Sequence, residues 1–125
     1  MLKVLEKYQG RKLEYGKYDC NLLILEATGF DITNVPEYSS VAEGRNALGK
    51  YTGCKSPSDY LVKQGYKKIN PALVRDFDII NQNHHCGIFF DGKLFAVDIE
   101  SKTFKYHQIT TGQLKEFEVY SKWHH

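Results

Sequence analysis

His85-Cys86-Gly87-Ile88-Phe89-Phe90-Asp91-Gly92-Lys93-Leu94-Phe95-Ala96-Val97-Asp98 decides how the second half of this chain folds. Two apolar runs flank Asp91-Gly92. That pair is a strong hairpin signal, because a type I′ turn needs positive φ at both central residues. A two-residue turn also sets register: Phe90 faces Lys93, Phe89 faces Leu94, and continuing outward His85 faces Asp98. Opposed residues carry Cβ atoms about 5 Å apart on one face. A carboxylate there can accept from one imidazole nitrogen and leave the other facing outward, which is the base-plus-orienter half of a catalytic triad. Gly87, Phe89 and Ala96 share that face, and the two small residues leave room beside His85. Parity sends Cys86 to the other face with Ile88 and Phe90, where a buried structural thiol is expected.

Outward from the hairpin, Phe77–Ile80, Thr103–Thr110 and Phe117–Trp123 read as further strands, with a helical turn over Gln113–Glu116. Upstream of Gly65 the pattern is helical. Leu2–Gln9 is a short amphipathic helix with Leu2, Val4 and Leu5 on its apolar side. Asn21–Thr28 is strongly apolar, is capped by Asp19 and is stopped by Gly29. Ser40-Val41-Ala42-Glu43 has capping-box spacing and opens a helix toward Tyr51. Ser56-Pro57-Ser58-Asp59 opens another, with Ser at the cap and Pro in the first turn. Helices first and strands second predict an α+β domain over 1–125, N-terminal helices packed on a five-stranded antiparallel sheet.

Composition excludes several function classes. The 125 residues carry a net charge of +2, with 42% hydrophobic and 26% charged residues, so an ordinary globular domain is expected. No apolar run reaches the roughly 18–20 residues of a membrane span, so no membrane partner is expected. Met1–Gly10 lacks an apolar h-region, and no signal peptide is expected. The 17 basic residues are scattered, which argues against nucleic acid as a partner. Three cysteines without paired spacing argue against a disulfide scaffold. His84, His85 and Cys86 are consecutive, and strand alternation turns neighbours to opposite faces. His107, His124 and His125 add donors, but no Cys-x-x-Cys or His-x-x-x-His spacing exists, so no metal or other cofactor is expected. His124-His125 is a chain end or a tag remnant.

Among the thiols, Cys54 in Thr52-Gly53-Cys54-Lys55 reads as a loop residue without a role. Cys20 follows the polar loop Tyr15-Gly16-Lys17-Tyr18-Asp19 and sits in the first turn of an apolar helix. The macrodipole and free N–H groups favour a thiolate there, and a helical N–H can contribute to an oxyanion site.

Tyr15-Gly16-x-x-Asp19-Cys20-Asn21-Leu22-Leu23 resembles the nucleophile motif of the NlpC-type cysteine peptidases, papain-like enzymes in which Asp-Cys-Ser-Gly-Leu opens a helix. Arg75-Asp76-Phe77-Asp78-Ile79-Ile80 is similar to their Pro-Gly-Asp strand, with Phe77 where Gly is usual. His85-Cys86-Gly87-Ile88-Phe89 resembles their His-Val-Gly-Ile-Tyr motif. The three motifs fall in the family's order and span about Tyr15 to Asp98, and the compact layout looks most like the small NlpC-like proteins of tailed bacteriophages. The resemblance implies a papain-like fold with Cys20 as nucleophile and His85 as base. The implied activity is hydrolysis of amide bonds in peptidoglycan stem peptides. Tyr15 and Asp19 flank the thiol as expected substrate contacts. The family's third polar residue falls near Ala96, so Asp98, or His107 on the next strand, has to orient His85. The implied partners are a peptidoglycan peptide and phage tail proteins, and the implied location is the virion tail or the host cytoplasm. The departures at Asn21, Leu22 and Ala96 leave open a second class: a catalytically inactive module of a phage tail, or a host-directed effector.

Overall fold

The computed structural model describes every residue except 34, 36, 37, 55, 83, 84 and 123–125, and at position 41 the backbone alone. Trp123, His84 and the His124-His125 pair therefore lie outside the described residues, as do Pro36 and Glu37.

Helices fill the first half. They are α1 (Leu2–Tyr8), α2 (Cys20–Ala27), α3 (Val41–Thr52) and α4 (Pro57–Lys63). Each boundary has a chemical cause. Asp19 accepts from the Leu22 N–H, Ser40 from the Glu43 N–H and Ser56 from the Asp59 N–H, so three helices start on side-chain caps. The capping box at Ser40 is displaced by one residue: Glu43 accepts from the N–H and hydroxyl of Ser39. Gly53 closes α3 at φ 73°, in the left-handed region where Gly carries no Cβ penalty. On α1 the buried residues are Leu5 and Tyr8, while Leu2 stays exposed, contrary to the expected apolar side.

The second half is a six-stranded antiparallel sheet in the order β1-β6-β2-β3-β4-β5, not five-stranded. The strands are β1 (Lys67–Ile69), β2 (Ile79–Gln82), β3 (His85–Phe90), β4 (Lys93–Val97), β5 (Phe104–Gln108) and β6 (Glu118–Ser121). The additional strand is β1, a three-residue edge strand whose Lys67-Lys68 has no apolar alternation to mark it. A single 3-10 turn, Pro71–Leu73, follows it, and α5 (Thr111–Leu114) links β5 to β6 through a full capping box at Thr110. The hairpin turn has Asp91 at φ 53° and Gly92 at φ 73°, as a type I′ turn requires.

The two faces of the sheet differ. On one, α2 packs with all of Leu22, Leu23, Ile24 and Leu25 buried, against Ile79, Ile88, Phe95 and Phe104. A helix apolar on every side is the kind that a core encloses. On the other, Ile80 and Val119 are covered by Leu114 of α5 with Phe89 and Leu94 at the edge of the cluster. The main core therefore clamps the N-terminus of α2 against β3.

Candidate active site

The first turn of α2 is held by one buried carboxylate. Asp19, 2% exposed, accepts from the Leu22 N–H on Oδ1 and from the Gly16 N–H on Oδ2, each at 2.9 Å. Oδ2 also accepts the hydroxyl of Tyr38. Burial, and then this bond to Asp19, push the Tyr38 phenol well above its ordinary range, so it remains a donor. Gly16 is demanded by the same arrangement. Its φ is 82°, and a Cβ there would sit 2.7 Å from the Tyr38 carbonyl oxygen. Asp19 faces the cleft, but both oxygens are committed to the chain. It supports the loop and the helix start and leaves little capacity for a substrate contact.

Cys20 opens α2 beside this carboxylate, half-buried, at a cleft of about 380 Å³. Tyr15, Tyr38, His85, Ala96, Ile99 and Lys102 contribute to the same walls. Cys86 lies directly behind the thiol. Its Sγ donates to the Cys20 carbonyl at 3.3 Å. Hydrogen bonding from the Cys86 side chain, the largest influence, lowers the Cys20 pKa against the opposing effects of burial and the Asp19 charge. Cys86 moves the other way, raised by the bond to Cys20 and by burial. Of the two adjacent thiols, the one at the helix N-terminus is the readier to ionise, and its neighbour stays protonated to donate. Strand parity places Cys86 on the core face as expected. The start of α2 packs on that face, so the thiol adjoins Cys20 instead of lying inert among hydrocarbons. Its place directly before Gly87, on the face opposite His85, was legible; which segment covered that face was not.

His85 is exposed at the first position of β3 and lines the cleft with Cys20. The hairpin register holds through Phe90↔Lys93, Phe89↔Leu94 and Ile88↔Phe95, and the ladder pairing stops there. His85 instead pairs with Gln82 on β2. Asp98, expected opposite His85, is drawn into the turn after β4. Its N–H donates to Thr103, its carbonyl accepts from Lys102, and its Oδ2 accepts from the N–H and hydroxyl of Ser101. Both backbone groups of Asp98 thus bond to the turn that leads into β5. Ser101 lowers the Asp98 pKa, and Lys105, 3.9 Å away, assists. Among the described residues no hydrogen bond or ion pair joins Asp98 to His85. His107 pairs with Leu94, and its Nε2 lies 3.3 Å from the Ala96 carbonyl oxygen.

Cys54 is buried, not a solvated loop thiol, and borders a separate small cavity of about 50 Å³ with Leu25, Leu48 and Tyr60. Among the described residues no three His, Cys, Asp or Glu side chains converge as a metal site. Among the described residues no helix is long and apolar enough to cross a membrane. Lys102, in the left-handed region at φ 58°, lines the cleft and carried no sequence signal beyond its place in a polar turn. In comparisons with known proteins, no family model, no curated protein and no solved structure matches this chain.

Proposed function

We propose that this protein is a papain-like thiol hydrolase of the NlpC type that cleaves amide bonds in peptidoglycan stem peptides, in the setting of a bacteriophage tail or the infected cell. The observation that carries the proposal is Cys20: an ionisation-prone thiol in the first turn of a capped helix, opening on a cleft that His85 also lines. Attack of the thiolate on a carbonyl carbon, with His85 taking the thiol proton and returning it to the leaving amine, is the chemistry such a pair performs. The Cys20 backbone N–H at the helix start is a donor for the developing oxyanion. Phe77 adds support. Where the resembled family has Gly, this backbone takes φ 72°, a conformation that favours Gly, so the departure lies in the side chain alone.

Digestion of purified muropeptides tests the proposal. The wild type is expected to release new amino groups, and Cys20→Ala to lower the rate by at least about 10³-fold. A parallel measurement follows iodoacetamide labelling of Cys20 against pH. The lowered pKa predicts that the rate rises at lower pH than for glutathione. Absence of muropeptide cleavage together with an ordinary thiol profile would sink the hydrolase. The second reading, a non-catalytic module of a phage tail or a host-directed effector, draws on the engagement of Asp98 in its own turn. It predicts no cleavage by either protein.

A further inference from the structure

The chemistry of Cys20 is not that of a lone thiol. Cys86 has its sulfur 3.3 Å from the Cys20 carbonyl oxygen, and both residues border the same cleft. The two differ in access. Cys20 is half-buried at the cleft, whereas Cys86 is 8% exposed and held in the β2–β3 ladder opposite Asn81. A reagent entering the cleft meets Cys20 first, and Cys86 waits behind it. The third thiol is a built-in control, because Cys54 borders a different cavity and its sulfur points to the Thr52 carbonyl at 3.7 Å.

We propose that Cys20 and Cys86 form a two-thiol redox site, in which a peroxide oxidises Cys20 and Cys86 resolves the product as an intramolecular disulfide. In the first step the Cys20 sulfur attacks one peroxide oxygen. An S–O bond forms, the O–O bond breaks, and the departing hydroxide takes up a proton as water. Cys20 is then a sulfenic acid. In the second step the Cys86 sulfur attacks the Cys20 sulfur. The S–S bond forms, the S–O bond breaks, and the leaving hydroxide takes the Cys86 proton as a second water. The dithiol loses two electrons and the peroxide gains them. The Cys86 sulfur already lies 3.3 Å from the Cys20 carbonyl oxygen, and rotation about the two Cα–Cβ bonds has to bring the sulfurs to the bonded distance of about 2 Å. The disulfide occupies the sulfur that the proposed hydrolysis needs, so oxidation switches that chemistry off and a reductant restores it.

Mass and peptide mapping read the site without reference to hydrolysis, so this inference and the hydrolase reading fail separately. The folded chain is treated with a several-fold molar excess of hydrogen peroxide, enough to carry an unresolved thiol through both oxidation steps to the sulfinic acid, then alkylated and digested with trypsin. The expected product has lost two hydrogen atoms and joins the peptide 18–45, which contains Cys20, to 76–93, which contains Cys86. The peptide 51–55, with Cys54, stays alkylated, and dithiothreitol reverses the link. In Cys86→Ala, and again in Cys86→Ser, the same treatment drives Cys20 onward to the sulfinic acid, which dithiothreitol does not reverse. Accumulation of that acid in the wild type with Cys86 still free would overturn the proposal. Equal pairing of Cys54 with either thiol in the folded chain would overturn it as well.

Discussion

The two walls of the cleft are built to different standards. The Cys20 wall hangs on the buried Asp19, whose two oxygens take the N–H groups of Gly16 and Leu22 and the hydroxyl of Tyr38. The opposite wall carries an exposed His85 at a strand end, and beyond it a turn in which Asp98 serves Ser101. One wall is set by short-range, buried hydrogen bonds that over-determine its geometry. The other depends on where a ladder stops. Positioning of the thiol is therefore set by the fold before any ligand arrives, while the imidazole stays exposed to solvent.

The largest effect is expected at His85, and Asp98 supplies the contrast. His85→Ala is expected to lower muropeptide cleavage by about 10²–10⁴-fold, the range for a general base. It should leave urea-unfolding stability within about 0.5 kcal/mol, since an exposed strand-end side chain carries little packing. Asp98→Ala is expected to change cleavage by less than about threefold, because its carboxylate caps a turn and does not touch the imidazole. A drop with Asp98→Ala as deep as with His85→Ala would break the contrast between the walls. It would mean that the two residues couple during turnover.

Asp19→Ala probes the rigid wall. It removes a helix cap, worth about 1 kcal/mol, and leaves the Tyr38 hydroxyl and the Gly16 N–H buried without their acceptor. A loss of about 3 kcal/mol in urea unfolding is expected, with Asp19→Asn losing less because it keeps an acceptor at each of the first-turn contacts it retains. A loss below about 1 kcal/mol for Asp19→Ala would show that the wall is less constrained than its hydrogen bonds imply.

The smallest effect concerns the strand next to the His85 wall. Asp78, at the entry to β2, is 1% exposed, and its carbonyl accepts from the Phe89 N–H on β3. Oδ2 accepts from the Arg75 N–H at 2.8 Å, while Oδ1 is buried with no hydrogen bond among the described residues. Burial raises the Asp78 pKa, opposed by the Ser121 hydroxyl and by Arg75. The folded chain therefore holds this proton at a pH where the unfolded chain has lost it. The Asp78 contribution to stability falls as pH rises from the ordinary carboxylate value through the raised one, and is flat above. Asp78→Asn should flatten that segment of the stability–pH curve. An unchanged slope would show that Asp78 titrates normally.

Much of this was readable one segment at a time. The caps at Asp19, Ser40 and Ser56, the Asp91-Gly92 turn and the parity of β3 are consequences of contacts within a few residues. Each followed from residue type and spacing. The edge strand β1 left no such trace, because it has three residues and takes its order from pairing with β6. The hairpin register likewise carries no record of where pairing ends: the ladder stops at Ile88↔Phe95, and the Asp98 carboxylate turns to Ser101.

Local chemistry alone thus settled that Cys20 begins a capped apolar helix and that His85 begins a strand. Only tertiary packing decided what stands next to each of them. Parity assigned Cys86 to the core face of the sheet, but the core is made from whichever segments cover it. Here that segment is the first turn of α2, which brings a second thiol against Cys20 from 66 residues away. Contacts of that separation depend on how the helix layer docks onto the sheet, and the spacing of residues within either segment carries no record of it.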